Sequence, residues 1–366
     1  MAYTAIDNPT EYFSVNTWTA DDSSPRSFTG FGHQPDLLWV KHRGSGSINP
    51  TIIDSVRGGD KMLATATDAA EDTKSHGEVT AFGSDGITVA DGTNATYPRL
   101  YFNDDDPFGA SVGGEYVCWS WKAGTAFSND ASATSIGSID SSGSTSTTAG
   151  FSIVKIDSMP ANTTSTFAHN LGVKPNFIIF KSRDLTTNWD VYHSSALPDG
   201  ERKLYLNDTD GVIDSGFMND TAPTSSVVSF NPGSSDSNHI AYCFADVPGY
   251  SKFGSYTGNG NADGTFVYTG FKPAFLLVKD TGGSGEGWEL LDGTRSSFNV
   301  ADKRLRADSS GAESTGSNYY VDFLSNGFKQ RNTQTSSNGS GETYVYMAFA
   351  EAPFVTGSNG VPCNAR

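Results

Sequence analysis

The chain has 366 residues, with 24 Lys and Arg against 41 Asp and Glu, giving a formal net charge of −17. That balance weighs against a nucleic-acid partner, which needs clustered Lys and Arg to displace counterions, and against an anionic membrane surface. An aromatic content of 12% argues against wholesale disorder, and this length allows two or three domains whose cores need no disulfide.

The amino end, Met1-Ala2-Tyr3-Thr4-Ala5-Ile6-Asp7-Asn8-Pro9, has neither the basic start nor the apolar stretch of a secretory signal, which predicts folding in a cytosol. A first strand is expected from Phe13. Pro35-Asp36-Leu37-Leu38-Trp39-Val40-Lys41 follows the turn Gly30-Phe31-Gly32. The Pro fixes φ at the start of a strand, where its missing N–H does least harm. The unbroken apolar run then suits a strand covered on both faces. Ile52-Ile53-Asp54-Ser55 reads as a further strand. Thr67 to Lys74 is the best helix candidate, of about two turns.

Asp104-Asp105-Asp106-Pro107 is the densest acidic run and reads as a solvated loop, although its oxygens are of the kind a hard cation such as Ca²⁺ takes. Gly109-Ala110-Ser111-Val112-Gly113 matches the G-x-S-x-G nucleophile elbow. That motif needs a helix after the Ser. Here Gly114, Glu115 and the strand Tyr116-Val117-Cys118-Trp119-Ser120-Trp121 follow, so a glycine-rich loop is expected.

Residues 124–150 are Gly, Ser or Thr at 17 of 27 positions and read as a linker. Beyond them the marks of the first region return in order. A strand begins at Phe151, then Pro175-Asn176-Phe177-Ile178-Ile179-Phe180-Lys181, then Trp189-Asp190-Val191-Tyr192, then a closing strand from Ile240 to Ala245. Asn207-Asp208-Thr209-Asp210-Gly211 faintly echoes a calcium loop but lacks its downstream Glu. After Val247-Pro248-Gly249-Tyr250 the order returns a third time: Phe253, Pro273-Ala274-Phe275-Leu276-Leu277-Val278-Lys279, Trp288-Glu289-Leu290-Leu291-Asp292, and Tyr344 to Phe349. The short connection between the second and third copies predicts two domains in contact. Asn259-Gly260 marks a hairpin turn. The apolar run Ala274 to Val278 is far below the roughly 18 residues of a membrane span.

Repeats spaced about 100 residues apart are whole domains, since solenoid units run roughly 20–50. The expected fold is all-β: three tandem antiparallel β-sandwich modules, of jelly-roll or lectin-like type, related by an internal repeat. Their bounds are 1–123, 151–250 and 251–366, with the linker 124–150 between the first two. Leu38, Ile178 and Leu276 should occupy matching core positions.

Cys118, Cys243 and Cys363 form no CxxC, and the first two sit in apolar strands, so buried reduced thiols are expected. His193 and His239 lie in strand-like stretches and read as structural. Trp189 and Trp288 recur at one repeat position, which favours core packing over stacking on a sugar. A carboxylate pair for glycoside hydrolysis is recognised by separation in space, which the sequence does not give. No catalytic, metal or cofactor-binding residue is assigned.

Several motifs together resemble structural proteins of marine bacteriophages. They are Met1 to Pro9, Gln34 to Lys41, Asp54-Ser55-Val56-Arg57-Gly58, Phe253 to Gly260, Gly270 to Lys279, Asn326-Gly327-Phe328-Lys329, and Tyr346 to Phe354. The resemblance spans nearly the whole chain. It implies a non-enzymatic virion component, a tail fibre or tail appendage, that contributes to recognition of host-surface glycan. It also implies a homo-oligomer, with a trimer favoured, contacts with other virion proteins, and no cofactor. The alternatives are a capsid or collar decoration without a receptor role, and a glycan-degrading tailspike-type enzyme.

Overall fold

Each of the three Pro-to-Lys runs forms a strand whose side chains are buried throughout, and the reason lies in what covers its two faces. The structure is a computed structural model that describes residues 4–44, 47–109, 113–283, 285–356, 360 and 362–363. The first module contains β1 (Phe13–Thr19), β2 (Arg26–Thr29), β3 (Leu37–His42), β4 (Thr51–Asp54), β5 (Gly58–Ala64), β6 (Asp72–Thr73), β7 (Glu78–Gly83), β8 (Gly86–Ala90) and β9 (Glu115–Trp121). The second contains β10 (Thr125–Asn129), β11 (Ser141–Ser146), β12 (Phe151–Met159), β13 (Ser165–Ala168), β14 (Phe177–Ser182), β15 (Asp190–His193), β16 (Arg202–Tyr205), β17 (Ile213–Asp214), β18 (Val227–Phe230) and β19 (Ser237–Phe244). The third contains β20 (Ser251–Thr257), β21 (Phe266–Tyr268), β22 (Phe271–Asp280), β23 (Glu289–Asp292), β24 (Lys303–Arg306), β25 (Ser314–Thr315), β26 (Val321–Leu324), β27 (Gly327–Gln330) and β28 (Thr343–Pro353).

Three large antiparallel sheets share one strand order: β1-β9-β3-β4-β5-β6, then β12-β19-β14-β15-β16-β17, then β20-β28-β22-β23-β24-β25. Each faces a small sheet: β2-β8-β7 in the first module, β13-β18 in the second, β21-β27-β26 in the third. The register is shared too. Leu38 pairs with Ile53, Ile178 with Tyr192 and Leu276 with Leu291, and the three are fully buried. Side chains alternate across a strand. Leu38, Val40 and their counterparts therefore face the small sheet, as the stacking of Phe180 on Phe230 shows at 4.5 Å between ring centroids. The other face, with Leu37, Trp39, Phe177, Phe275 and Leu277, joins one apolar core that all three modules share.

At the centre of that core rings from different modules touch. Phe13 stacks on Phe349 at 4.9 Å, Trp121 meets Phe244 at 6.0 Å edge-on, and Phe177 stacks on Phe253 at 5.9 Å. The lysine contacts between modules run in one direction around a ring. The Lys that ends each repeated strand is buried and donates to two backbone carbonyls, one in its own module and one in the next. Lys41 Nζ reaches Ile48 O (2.7 Å) and Ser310 O (2.8 Å), Lys181 reaches Leu185 O (3.2 Å) and Asp68 O (3.1 Å), and Lys279 reaches Glu286 O (2.5 Å) and Thr209 O (2.9 Å). The first module thus holds the third, the second holds the first, and the third holds the second. Burial depresses all three amines, Lys41 to about 7 and Lys181 to about 8.

A second set of side-chain contacts crosses the same seams, two in this direction and the third, from His193, running from the second module to the third. Tyr242 donates its hydroxyl to Asp54 (2.7 Å), Trp119 its indole N–H to Asp292 (3.1 Å), and His193 Nε2–H to Tyr346 O (3.1 Å). The two Asp residues are buried beside an Arg three positions on: Arg57 lies 2.5 Å from Asp54 and Arg295 lies 2.6 Å from Asp292. Each of these arginines also binds a Glu, Glu71 or Glu313, that a neighbouring module's Arg183 or Arg43 binds as well. His193 replaces the Asp at the third seam, and Ala196 and Val212 stand where the Arg and Glu would be. Trp189 and Trp288 are buried, and their indoles cross a seam to Ala64 O (3.1 Å) and Tyr205 O (2.8 Å).

Two local expectations change. Residues 124–150 are strands β10 and β11 with a one-turn helix, Ala131–Thr134, between them, and β11 pairs with β12 from Ser142↔Lys155 to Ser146↔Phe151. The small residues fit a close edge, where a Cβ on Gly143 would lie 1.9 Å from Ile153 O, and Ser141 donates its hydroxyl to Ala168 O at 2.9 Å. Thr67 to Lys74 is extended and turn-like instead of helical, because its backbone serves the next module: Asp68 O accepts from Thr187 N (2.9 Å) and Glu71 N donates to Arg183 O (2.7 Å). The loop Asn207 to Gly211 docks on the third module through Thr209 O. Gly211 lies so close to Gly283 that an added Cβ would sit 2.4 Å from its nitrogen.

Cys118 and Cys243 are buried free thiols in different modules, and burial raises both above the ordinary thiol value. Native alkylation should leave them unmodified, with labelling by mass spectrometry only after urea is added. A shared core predicts one calorimetric transition for the whole chain, without a separate step for any module. Arg57→Met should cost about 3–5 kcal/mol in urea melts, because it strips the partner from a buried carboxylate.

His42, His169, His193 and His239 are held neutral by burial, at about 4. The unfolded chain takes up these protons near 6.5. Their neutral burial contributes fully above that value, and the contribution is lost as pH falls from about 6.5 towards 4. Urea melts at pH 7, 5.5 and 4.5 should show falling stability, with a smaller fall in His193→Gln.

Candidate functional site

Where a sandwich lacks a strand, the gap leaves polar backbone and the large sheet open to solvent. In the first module β7 lies third in the small sheet, and in the third module β26 does. The second module has β13 and β18 alone in that layer, and the segment before β18 forms turns. Phe217 and Met218 from these turns are buried and fill part of the missing layer. The remainder is a cleft of about 420 Å³ over β15 and β16.

Its floor is an ion pair set among rings. Asp190, at the start of β15, lies 2.8 Å from Lys203 Nζ on β16. The ammonium sits 4.9 Å from the centroid of Tyr205 and 5.5 Å from that of Phe217, within reach of their π faces. Burial raises the Asp190 carboxyl, against the pull of Lys203. Burial works against the Lys203 charge as well, but Asp190 outweighs it and holds the amine above its ordinary value. The amide side chains of Asn162, Asn188 and Asn231 line the walls. Asn188 Oδ1 accepts from Asn207 (2.8 Å) and Asn231 Oδ1 from Gly233 N (3.0 Å), which fixes each amide while its NH₂ stays available as a donor.

The arrangement offers amide donors, an internally neutralised charge pair and an aromatic ring on one concave surface. That suits a neutral polyhydroxylated ligand. Asp190 is the one carboxylate among the cleft-lining residues and is paired with Lys203, so these residues do not form the two-carboxylate arrangement of a glycosidase.

Other residues singled out from the sequence lie elsewhere. Asp104 and Asp105 come together with Asp22, their carboxylate oxygens within 4.8 Å of one another. Asp22 raises the Asp105 carboxyl, burial raises that of Asp104, and Asp22 accepts the N–H of Asp105 at 3.1 Å. Residues 110–112 of the G-x-S-x-G string lie outside the described residues. His193 and His239 are buried structural groups, and His239 lies in a small recess of about 30 Å³ that adjoins the cleft. Sequence reasoning missed the cleft, whose walls come from segments up to about 70 residues apart. The signal that was present is the length of turn-forming sequence from Ser215 to Ser226, where the third module has a strand.

No curated protein matches the chain in sequence. A family model described as a domain of unknown function, DUF7483, matches residues 8–353, across all three large sheets. The chain belongs to the DUF7483 family.

Proposed function

We propose that the protein is a structural component of a bacteriophage virion, a tail fibre or tail appendage, and that it contributes to recognition of host-surface glycan. The motif resemblance given under Sequence analysis supports the virion part of this reading. The observation that carries the recognition part is the cleft over β15 and β16, with Tyr205, three amides and a neutralised Asp190–Lys203 pair on one surface. Sugars present hydroxyls to amide donors and one apolar face to a ring, so a neutral hexose fits this lining. Copies of the chain assemble on the particle as a trimer, and clustered weak sites gain strength through effective concentration.

The test is a glycan array of bacterial surface polysaccharides, followed by calorimetry on the best ligand. Binding is expected with Asn188→Ala weakened about fivefold, the equivalent of one hydrogen bond of about 1 kcal/mol. Tyr205→Ala should weaken it further, and both variants should melt within a few degrees of the parent. Antibody labelling of intact particles should place the chain on the tail. Absence of any glycan bound, or equal affinity in both variants, overturns the recognition reading and favours a decoration role. Shortening of the polysaccharide by the protein would favour the enzyme.

A further inference from the structure

The first strand of each large sheet is an edge strand in the repeat, and the three modules treat that edge differently. In the second module the edge of β12 is covered by β11 of the same chain. In the third, the outward N–H of Phe253 on β20 donates to Asp246 at 2.8 Å, and Lys252 pairs with the same carboxylate. A charged side chain thus caps the edge, one of the ways proteins keep edge strands from pairing. In the first module, β1 pairs with β9 on one side and has no strand on its outer side among the described residues. Val15 pairs with Trp119 as Phe253 pairs with Met347, so Phe13, Val15 and Thr17 turn their backbone polar groups outward. The Val15 carbonyl accepts only a long contact from the Thr294 hydroxyl, 3.4 Å. β1 carries no charged residue.

A groove of about 280 Å³ lies beside this edge. It is bounded by Phe13 to Asn16, by the Gly30 to Gly32 turn, and across the seam by Ala274, Thr294 and Ala350. The counterpart turn in the second module is Asn170-Leu171-Gly172, with the same positive φ at its first and third residues. There the carbonyl of Asn170 accepts from Thr145 of β11 at 3.4 Å. The groove at β1 therefore corresponds to the place that β11 fills in the second module.

We propose that β1 receives an added antiparallel strand from a neighbouring protein, and that this strand is an extended segment of small polar residues like Ser141–Ser146. Backbone hydrogen bonds supply the affinity in this mode, and side-chain size sets which sequences fit. Transferring the β11 register places Ser142 opposite Thr17, Ser144 opposite Val15 and Ser146 opposite Phe13. The residue opposite Asn16 is then a glycine, because its counterpart Gly143 has no room for a Cβ. This proposal stands apart from the glycan reading, since the groove and the cleft lie in different modules.

The probe is a synthetic peptide of residues 139–148 added to the full chain, read by amide-resolved hydrogen exchange. Saturable protection of the Val15 and Thr17 amides is expected. A spin label at the peptide's amino end should broaden signals at the Thr19 end of β1, and a label at its carboxyl end those near Phe13. The same peptide with Val in place of Gly143 should bind at least tenfold more weakly. Asp246→Ala, which uncaps Phe253 without touching β1, should add protection at β20. Absence of β1 protection at millimolar peptide overturns the proposal. So does protection with the reverse polarity, or with equal strength from the Val peptide.

Discussion

Three buried lysine amines hold this fold closed. An amine without a carboxylate beside it is costly to bury, and the cost is offset only where carbonyls replace its lost water. Lys41, Lys181 and Lys279 each find two carbonyls, and in each case one belongs to another module. No module can therefore satisfy its own lysine. The same strands turn Leu37, Phe177 and Phe275 into the shared core, so the apolar and polar demands of one strand are met by the same neighbour.

The three seams are alike in geometry and unlike in chemistry. Two carry buried Arg–Asp pairs extended by a Glu that two modules share. The third, between the second and third modules, lacks the Arg–Asp pair at that position, with His193 on a carbonyl and Val212 beside Thr281. Buried ion pairs tolerate poor geometry badly and are often replaceable by apolar packing without loss. This seam shows such a replacement inside one chain: a contact at the His193 position is kept while the Arg–Asp–Glu charges there are gone. The second module, which carries His193 at this position, also has the reduced small sheet and the extra β10–β11 edge.

Much of the architecture was legible in the residues. The alternation of β-branched and aromatic runs with glycine turns identifies the strands, and the unbroken apolar runs of four or five residues announce strands covered on both faces. What covers the second face was not legible, because an unbroken apolar run says that Trp39 is buried and does not say against what, and nothing in it marks Lys41 as buried. Residues 124–150 read as a linker because composition cannot separate a loose Ser/Gly/Thr segment from an edge strand whose hydroxyls bind backbone. Thr67 to Lys74 has the residues of a short helix, but hydrogen bonds offered by the neighbouring module outweigh that propensity. The cleft depends on a strand that is missing, and an absence at a turn-rich stretch carries little signal in one sequence.

The one-way order of the lysine contacts also bears on how such a protein can vary over generations. In an open stack of repeats, a unit gained or lost alters only the length, since each unit meets its neighbours and the ends are capped. Here every module both gives and receives a buried contact, so deleting one leaves a charged donor and a set of carbonyls facing each other's absence. Adding one would open the central aromatic cluster, whose rings already touch across all three sheets. Gain or loss of a module is therefore costly in this arrangement, whereas loops, missing strands and uncovered edges can change without breaking a buried contact.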